Sequence, residues 1–140
     1  MHRQSRTFAS GLICGLGLFC LAGQGRASVP NQQAEQRPSL SEAPDAAGSW
    51  PNPYEGRLDA ALAGAKLFRH HCVDCHGAEA AGSDRAPNLR MPAVTAAAPG
   101  VLFWFLTNGN LKQGMPSWSG LPDERRWQLV TYIRSLAPLH

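Results

Sequence analysis

The stretch Cys72-Val73-Asp74-Cys75-His76 limits what this chain can fold into more than any other. At the end of a helix, positions i, i+3 and i+4 face the same way. The spacing therefore brings two thiols and one imidazole up on a single face. Gly77 comes next, so the backbone can leave without a side chain crowding whatever sits there. His70 and His71 come just before, so positions 70–76 hold five side chains able to bind a metal.

Three chemistries use such residues. A thioredoxin-like dithiol needs a strand–helix frame, and no stretch here reads as a sheet. A zinc site, the mark of a zinc-binding interaction module, normally draws on two separated ligand clusters. The only histidine after the stretch is His140, at the very terminus. The third chemistry is c-type haem, for which Cys-x-x-Cys-His is the attachment sequence. Each thiol can form a thioether with one haem vinyl group, and the imidazole can ligate the iron. This reading gives Cys72 and Cys75 to the porphyrin and His76 to the iron. His70 and His71 are left as solvated helix-end residues.

The first 27 residues agree with that reading. Arg3 and Arg6 open the chain, Phe8 to Ala22 is an apolar run, and "GQGRA" ends in small residues. That is the layout of a secretory signal peptide, with cleavage expected after Ala27. The run is short against the ~20 residues of a spanning helix, so membrane contact is expected only if the leader is retained. Haem attachment of this type takes place after export, and the expected location is the periplasm. The full chain has 13 basic and 10 acidic residues; losing Arg3, Arg6 and Arg26 leaves ten of each. The basic balance is a property of the leader and does not point to nucleic acid. Cys14 and Cys20 leave with it, so Cys72 and Cys75 are the only thiols exported. An exported pair is expected to be oxidised or occupied.

Residues 28–54 contain five prolines and three glutamines with no apolar period. They read as a flexible arm, with Trp50 and Tyr54 placed to pack onto the domain. The compact domain is expected over 55–140. Three helices are predicted in it. The first, "RLDAALAGAKLFRHHC", places Leu58, Leu62, Ala65 and Phe68 at helical spacing. The second, "PGVLFWFLTNG", begins near Pro99 and stops at Asn108-Gly109. The third, "LPDERRWQLVTYIRSLAP", has Asp123 and Glu124 to complement the helix dipole and an apolar face of Leu129, Tyr132, Ile133 and Leu136. Gly- and Pro-rich loops join them. The fold class is all-α, and a domain this small needs a large apolar group to complete its core.

One histidine leaves a second axial position on the iron. The candidates are Met91, Met115 and His140. Met115 lies 39 residues after His76, between Gly114 and Pro116, in a stiff loop that can hold a thioether at fixed reach. Met91 reads as gap-filling core. His/Met ligation is an electron-transfer arrangement, so Met115 is the expected sixth ligand.

With these residues in view, the chain resembles a class I c-type cytochrome, of the small monohaem bacterial periplasmic kind, over nearly all of residues 56–140. "GAKLFRHHCVDCHG" resembles the family's opening helix, with Gly64 and Phe68 at its packing positions. The resemblance implies that Leu129 and Tyr132 cross Gly64 and Phe68 in a small α bundle, about three main helices wrapped around one covalently bound haem. "APNL" is similar to the loop whose proline carbonyl accepts the proximal imidazole N–H, which implies Pro87 in that role and Leu89 packed beside the haem. "GMPSW" is similar to the distal ligand loop. Trp104 and Trp118 are expected to wall the crevice. The His76–Met115 segment is shorter than in mitochondrial cytochrome c and the lysine-rich face of that protein is missing. The stretch 102–136, "LFWFLTNGNLKQGMPSWSGLPDERRWQLVTYIRSL", is similar to monohaem cytochromes that accompany periplasmic dehydrogenases.

The function these features imply is electron carriage, one electron at a time, with no bond chemistry at the iron and no enzymatic role. The expected partners are transient redox proteins: a periplasmic dehydrogenase, respiratory complex or oxidase. The alternative is a haem enzyme or a gas- or peroxide-binding protein in which Met115 is displaced; no distal histidine or arginine arrangement supports it.

Overall fold

A computed structural model describes residues 40–137. The expected signal peptide and His140 lie outside the described residues, as does the arm up to residue 39. Three main helices carry the fold: α1 (Leu58–His71), α4 (Pro99–Asn108) and α5 (Asp123–Ser135), with two single turns, α2 (Val73–His76) and α3 (Pro92–Thr95), between the first two. Among the described residues there is no strand, only two isolated bridges, Ser83–Ala86 and Asn110–Met115. The all-α expectation holds.

Local chemistry sets the helix ends. Asp59 stands in the first turn of α1 and Arg69 in its last, each matched in sign to the dipole. Pro99 opens α4, where its missing N–H costs nothing. Gly109 ends it at φ 70°, a conformation glycine takes without strain. Asp123 and Glu124 open α5.

The main packing is α1 across α5, and Gly64 sets its distance. A Cβ there would lie 2.0 Å from the Gln128 carbonyl oxygen and 2.8 Å from Tyr132 Cβ. One turn on, the Phe68 and Tyr132 rings meet at 5.3 Å, while Leu129 is wholly buried. This close crossing corrects the expected stripe of α1. Leu58 and Leu62 are 73% and 58% exposed. The buried face is Ala60, Gly64 and Phe68. The smallest side chains face α5 because only they admit its backbone, and the leucines are rotated outward.

Residues 40–54 of the expected arm, where Trp50 and Tyr54 are placed to pack onto the domain, lie against the helices. Short 3-10 turns form at Leu40–Glu42 and Asp45–Ser49. Ala47 is fully buried beside Gly100, where a Cβ would sit 2.1 Å from the Ala47 carbonyl oxygen. Trp50 meets Phe103 edge-on at 6.4 Å. Asn52, 8% exposed, donates to Thr131 Oγ1 at 2.9 Å, so a buried amide of the segment is tied to α5. Tyr54 stays at the edge, under the Arg57 guanidinium at 5.5 Å. The segment has no helical period because its anchors are single residues in turns.

Candidate functional site

The chain leaves α1 at Cys72, whose N–H donates to the Phe68 carbonyl at 2.9 Å. The turn α2 begins at once: Cys75 and His76 both donate their N–H to the Cys72 carbonyl, at 3.2 and 2.9 Å. Those bonds hold Cys72, Cys75 and His76 on one face. Gly77 at φ 77° then reverses the chain. The Gly82 N–H returns to the His76 carbonyl at 2.9 Å, and Ser83 Oγ donates to the Cys75 carbonyl. Gly82 permits the tightest approach, since a Cβ there would lie 2.6 Å from the Asn88 nitrogen.

The fold of this loop delivers one carbonyl. Pro87 O stands 3.0 Å from His76 Nδ1. A carbonyl only accepts, so Nδ1 carries the proton and Nε2 keeps a free lone pair. Burial pushes the His76 pKa down, and the Pro87 bond opposes this with the smaller effect. The ring is neutral, as a metal ligand must be. Burial, with the neighbouring Cys75 second, raises Cys72 to about 11. A redox dithiol depends on a lowered thiol pKa, so the shift runs against that chemistry. Among the described residues no group of three or more His, Cys, Asp or Glu is placed to hold a bare metal ion.

The opposite wall comes from the loop after α4. Gly109 brings the chain against the start of the Pro116 segment, where a Cβ would be 2.6 Å from the Pro116 carbonyl carbon. Asn110 and Met115 exchange two backbone hydrogen bonds, both 2.9 Å, around the turn Leu111–Gln113. The Trp118 N–H donates to the Leu106 carbonyl at 2.8 Å and Ser117 Oγ to the Thr107 carbonyl at 2.6 Å. Met115 is thus held by a loop pinned at both ends.

Between the two walls lies a cavity of about 270 Å³. Cys72, Cys75, His76, Pro87, Leu89, Met115 and Trp118 all line it. Met91, half-buried before α3, does not. Trp104 does not either, which corrects its expected place. On α4 the lining residues are Leu102, Phe105 and Leu106, the i, i+3, i+4 set. Trp104 falls off that face and lies edge-on to Phe105 at 5.1 Å. His71, expected as a bystander, lines the cavity with its ring 5.1 Å from that of Trp118; His70 does not line it. Leu40 and Asn110 are lining residues that nothing in the sequence singles out. Leu40 lies in a stretch without period. Asn110 comes after a helix-stop pair and reads as ordinary turn chemistry.

The residues fit a haem. Two thiols, a tautomer-fixed imidazole and a thioether share one cavity, and its deeper wall is apolar: Phe68, Val94, Leu102, Leu106 and Ile133 are each under 9% exposed. No helix of the described residues is long and apolar enough to cross a membrane.

Comparison with known proteins finds a family model, described as cytochrome c oxidase, cbb3-type, subunit III, that matches residues 59–133. No curated protein and no solved structure matches the chain. The matched span runs from the first turn of α1 to near the end of α5 and includes Cys72-x-x-Cys75-His76 and Met115. The chain belongs to this family, and it is a class I c-type cytochrome whose cofactor is covalently attached haem c and whose chemistry is haem-based electron transfer.

Proposed function

We propose that this protein is a periplasmic carrier of single electrons, with the haem attached through Cys72 and Cys75 and the iron held between His76 and Met115. The observation that carries the reading is the one cavity lined by all four residues, with His76 Nε2 left free by the Pro87 bond. When bound, haem supplies a one-electron ferric/ferrous couple. Pro87 fixes the His76 tautomer and raises its basicity as a ligand. The pinned loop holds the Met115 thioether at constant reach, and thioether ligation favours the ferrous state and a high potential. Phe68, Leu102 and Leu106 keep water from the buried side of the site. A haem held by both His76 and Met115 would leave no place for a substrate at the iron. Partners then meet the protein transiently, over a small patch. The description of the matching family names an oxidase, and a respiratory donor and acceptor are the partner classes in keeping with it. The leader directs export and is removed after Ala27.

The test begins with the mass of the exported protein, expected as residues 28–140 plus one haem. Met115→Ala is expected to keep the covalent haem, lower the potential and let the reduced iron bind carbon monoxide. A wild-type protein that binds carbon monoxide readily when reduced, or a variant with unchanged spectrum and potential, would overturn the ligand assignment.

A further inference from the structure

Among the described residues that line the cavity, Asn110 is the one buried polar side chain, at 9% exposure. It stands at the N-cap of the turn Leu111–Gln113, where an asparagine side chain ordinarily accepts from a backbone N–H two or three residues on. Here it makes no such bond. Its carboxamide has no hydrogen-bond partner among the described residues, yet neither of its polar atoms is sealed inside the protein, as Arg126 Nε is. A buried amide is expected to find a partner. The group is left facing the cavity.

Its position relative to Met115 is set by the backbone. Asn110 and Met115 are a directly opposed antiparallel pair, joined by two hydrogen bonds of 2.9 Å. Side chains of such a pair project to the same face, with Cβ atoms roughly 4.5–5.5 Å apart. Both line the same cavity. A thioether sulfur has two lone pairs, and one that binds iron keeps the other as a weak acceptor.

We propose that Asn110 is a positioning residue for the iron ligand: its carboxamide N–H donates a hydrogen bond to the Met115 thioether sulfur, fixes the orientation of that side chain, and raises the potential by drawing electron density from the sulfur. This rests on the reading of Met115 as an iron ligand. The sign of the effect is diagnostic. Removing the donor lets sulfur stabilise the ferric state better, so the potential falls. Replacing a polar group by an apolar one with no such bond lowers the local polarity, which disfavours the extra charge of the ferric state and moves the potential up.

The experiment compares the haem-loaded wild type with Asn110→Leu, and with Asn110→Ala where leucine crowds the site and prevents attachment. The readouts are the reduction potential and the ferric methionine–iron charge-transfer absorption. The expected result is a fall of roughly 20–60 mV, the one-electron equivalent of about two- to tenfold, which is the span of one net hydrogen bond. The charge-transfer absorption shifts with it. A potential that stays or rises overturns the proposal. So does a fall with the absorption unmoved, because the amide then acts on a haem propionate and not on sulfur. A wild type lacking that absorption refutes the ligand assignment itself, whereas a wild type that shows it beside an unaltered variant refutes only the role of Asn110.

Discussion

Pro87 contributes to the site through its carbonyl, the single hydrogen-bonding group a proline backbone has. Pro87→Ala keeps that carbonyl, so the His76 bond of 3.0 Å should survive. The haem spectrum is expected to be unchanged, with a stability loss of about 1 kcal/mol or less from the freer unfolded chain; a lost or altered proximal ligation would show that the ring matters and not the carbonyl. Gly64 is the opposite case, a position where no added atom fits. Gly64→Ala places a methyl 2.0 Å from a backbone oxygen of α5, and the helices must part. A loss of about 2–3 kcal/mol in denaturant unfolding is expected, in the range of overpacked cores. At this scale the sequence is readable wherever a residue's chemistry is local. The two cysteines, His76 and the Gly-Met-Pro setting of Met115 announce themselves by spacing alone. Asn110 and Leu40 do not, since what marks them is the cavity they face, which exists only after folding.

Helices are legible by period and ambiguous by face. The existence of α1, α4 and α5 can be read from apolar repeats, a proline at the start of α4 and acidic residues opening α5. The buried face of α1 cannot, because leucines at 58 and 62 make a better hydrophobic stripe than Ala60 and Gly64. The close crossing at Gly64 decides against them. Leu58→Gln with Leu62→Gln is accordingly expected to change stability by no more than about 0.5 kcal/mol per site; a large loss by thermal unfolding would mean that these leucines are covered by something. The misplacement of Trp104 has the same origin, one residue of rotation on α4. The segment 40–54 escapes a reading by period for another reason: 3-10 turns anchored by a buried alanine and a buried amide leave no repeat to detect. Asn52→Ala removes the donor to Thr131 Oγ1, which keeps its own bond to the Trp127 carbonyl, and is expected to cost about 0.5–1.5 kcal/mol. A neutral result would return the segment to the status of a spacer.

For the molecule as a whole, the cofactor is part of the core. The double variant Cys72→Ala, Cys75→Ala, purified without haem, is expected to lose near-ultraviolet circular dichroism and cooperative unfolding, while a haem-free chain that still unfolds in one sharp transition would show that the helices suffice. The walls of the cavity reach from Leu40 to Ile133, nearly the full described chain. That breadth sets a chronology. A chain emerging residue by residue cannot close the crevice until Ile133 has appeared, so Cys72 and Cys75 stay accessible up to that point. The last helix to appear is the one that shuts the door.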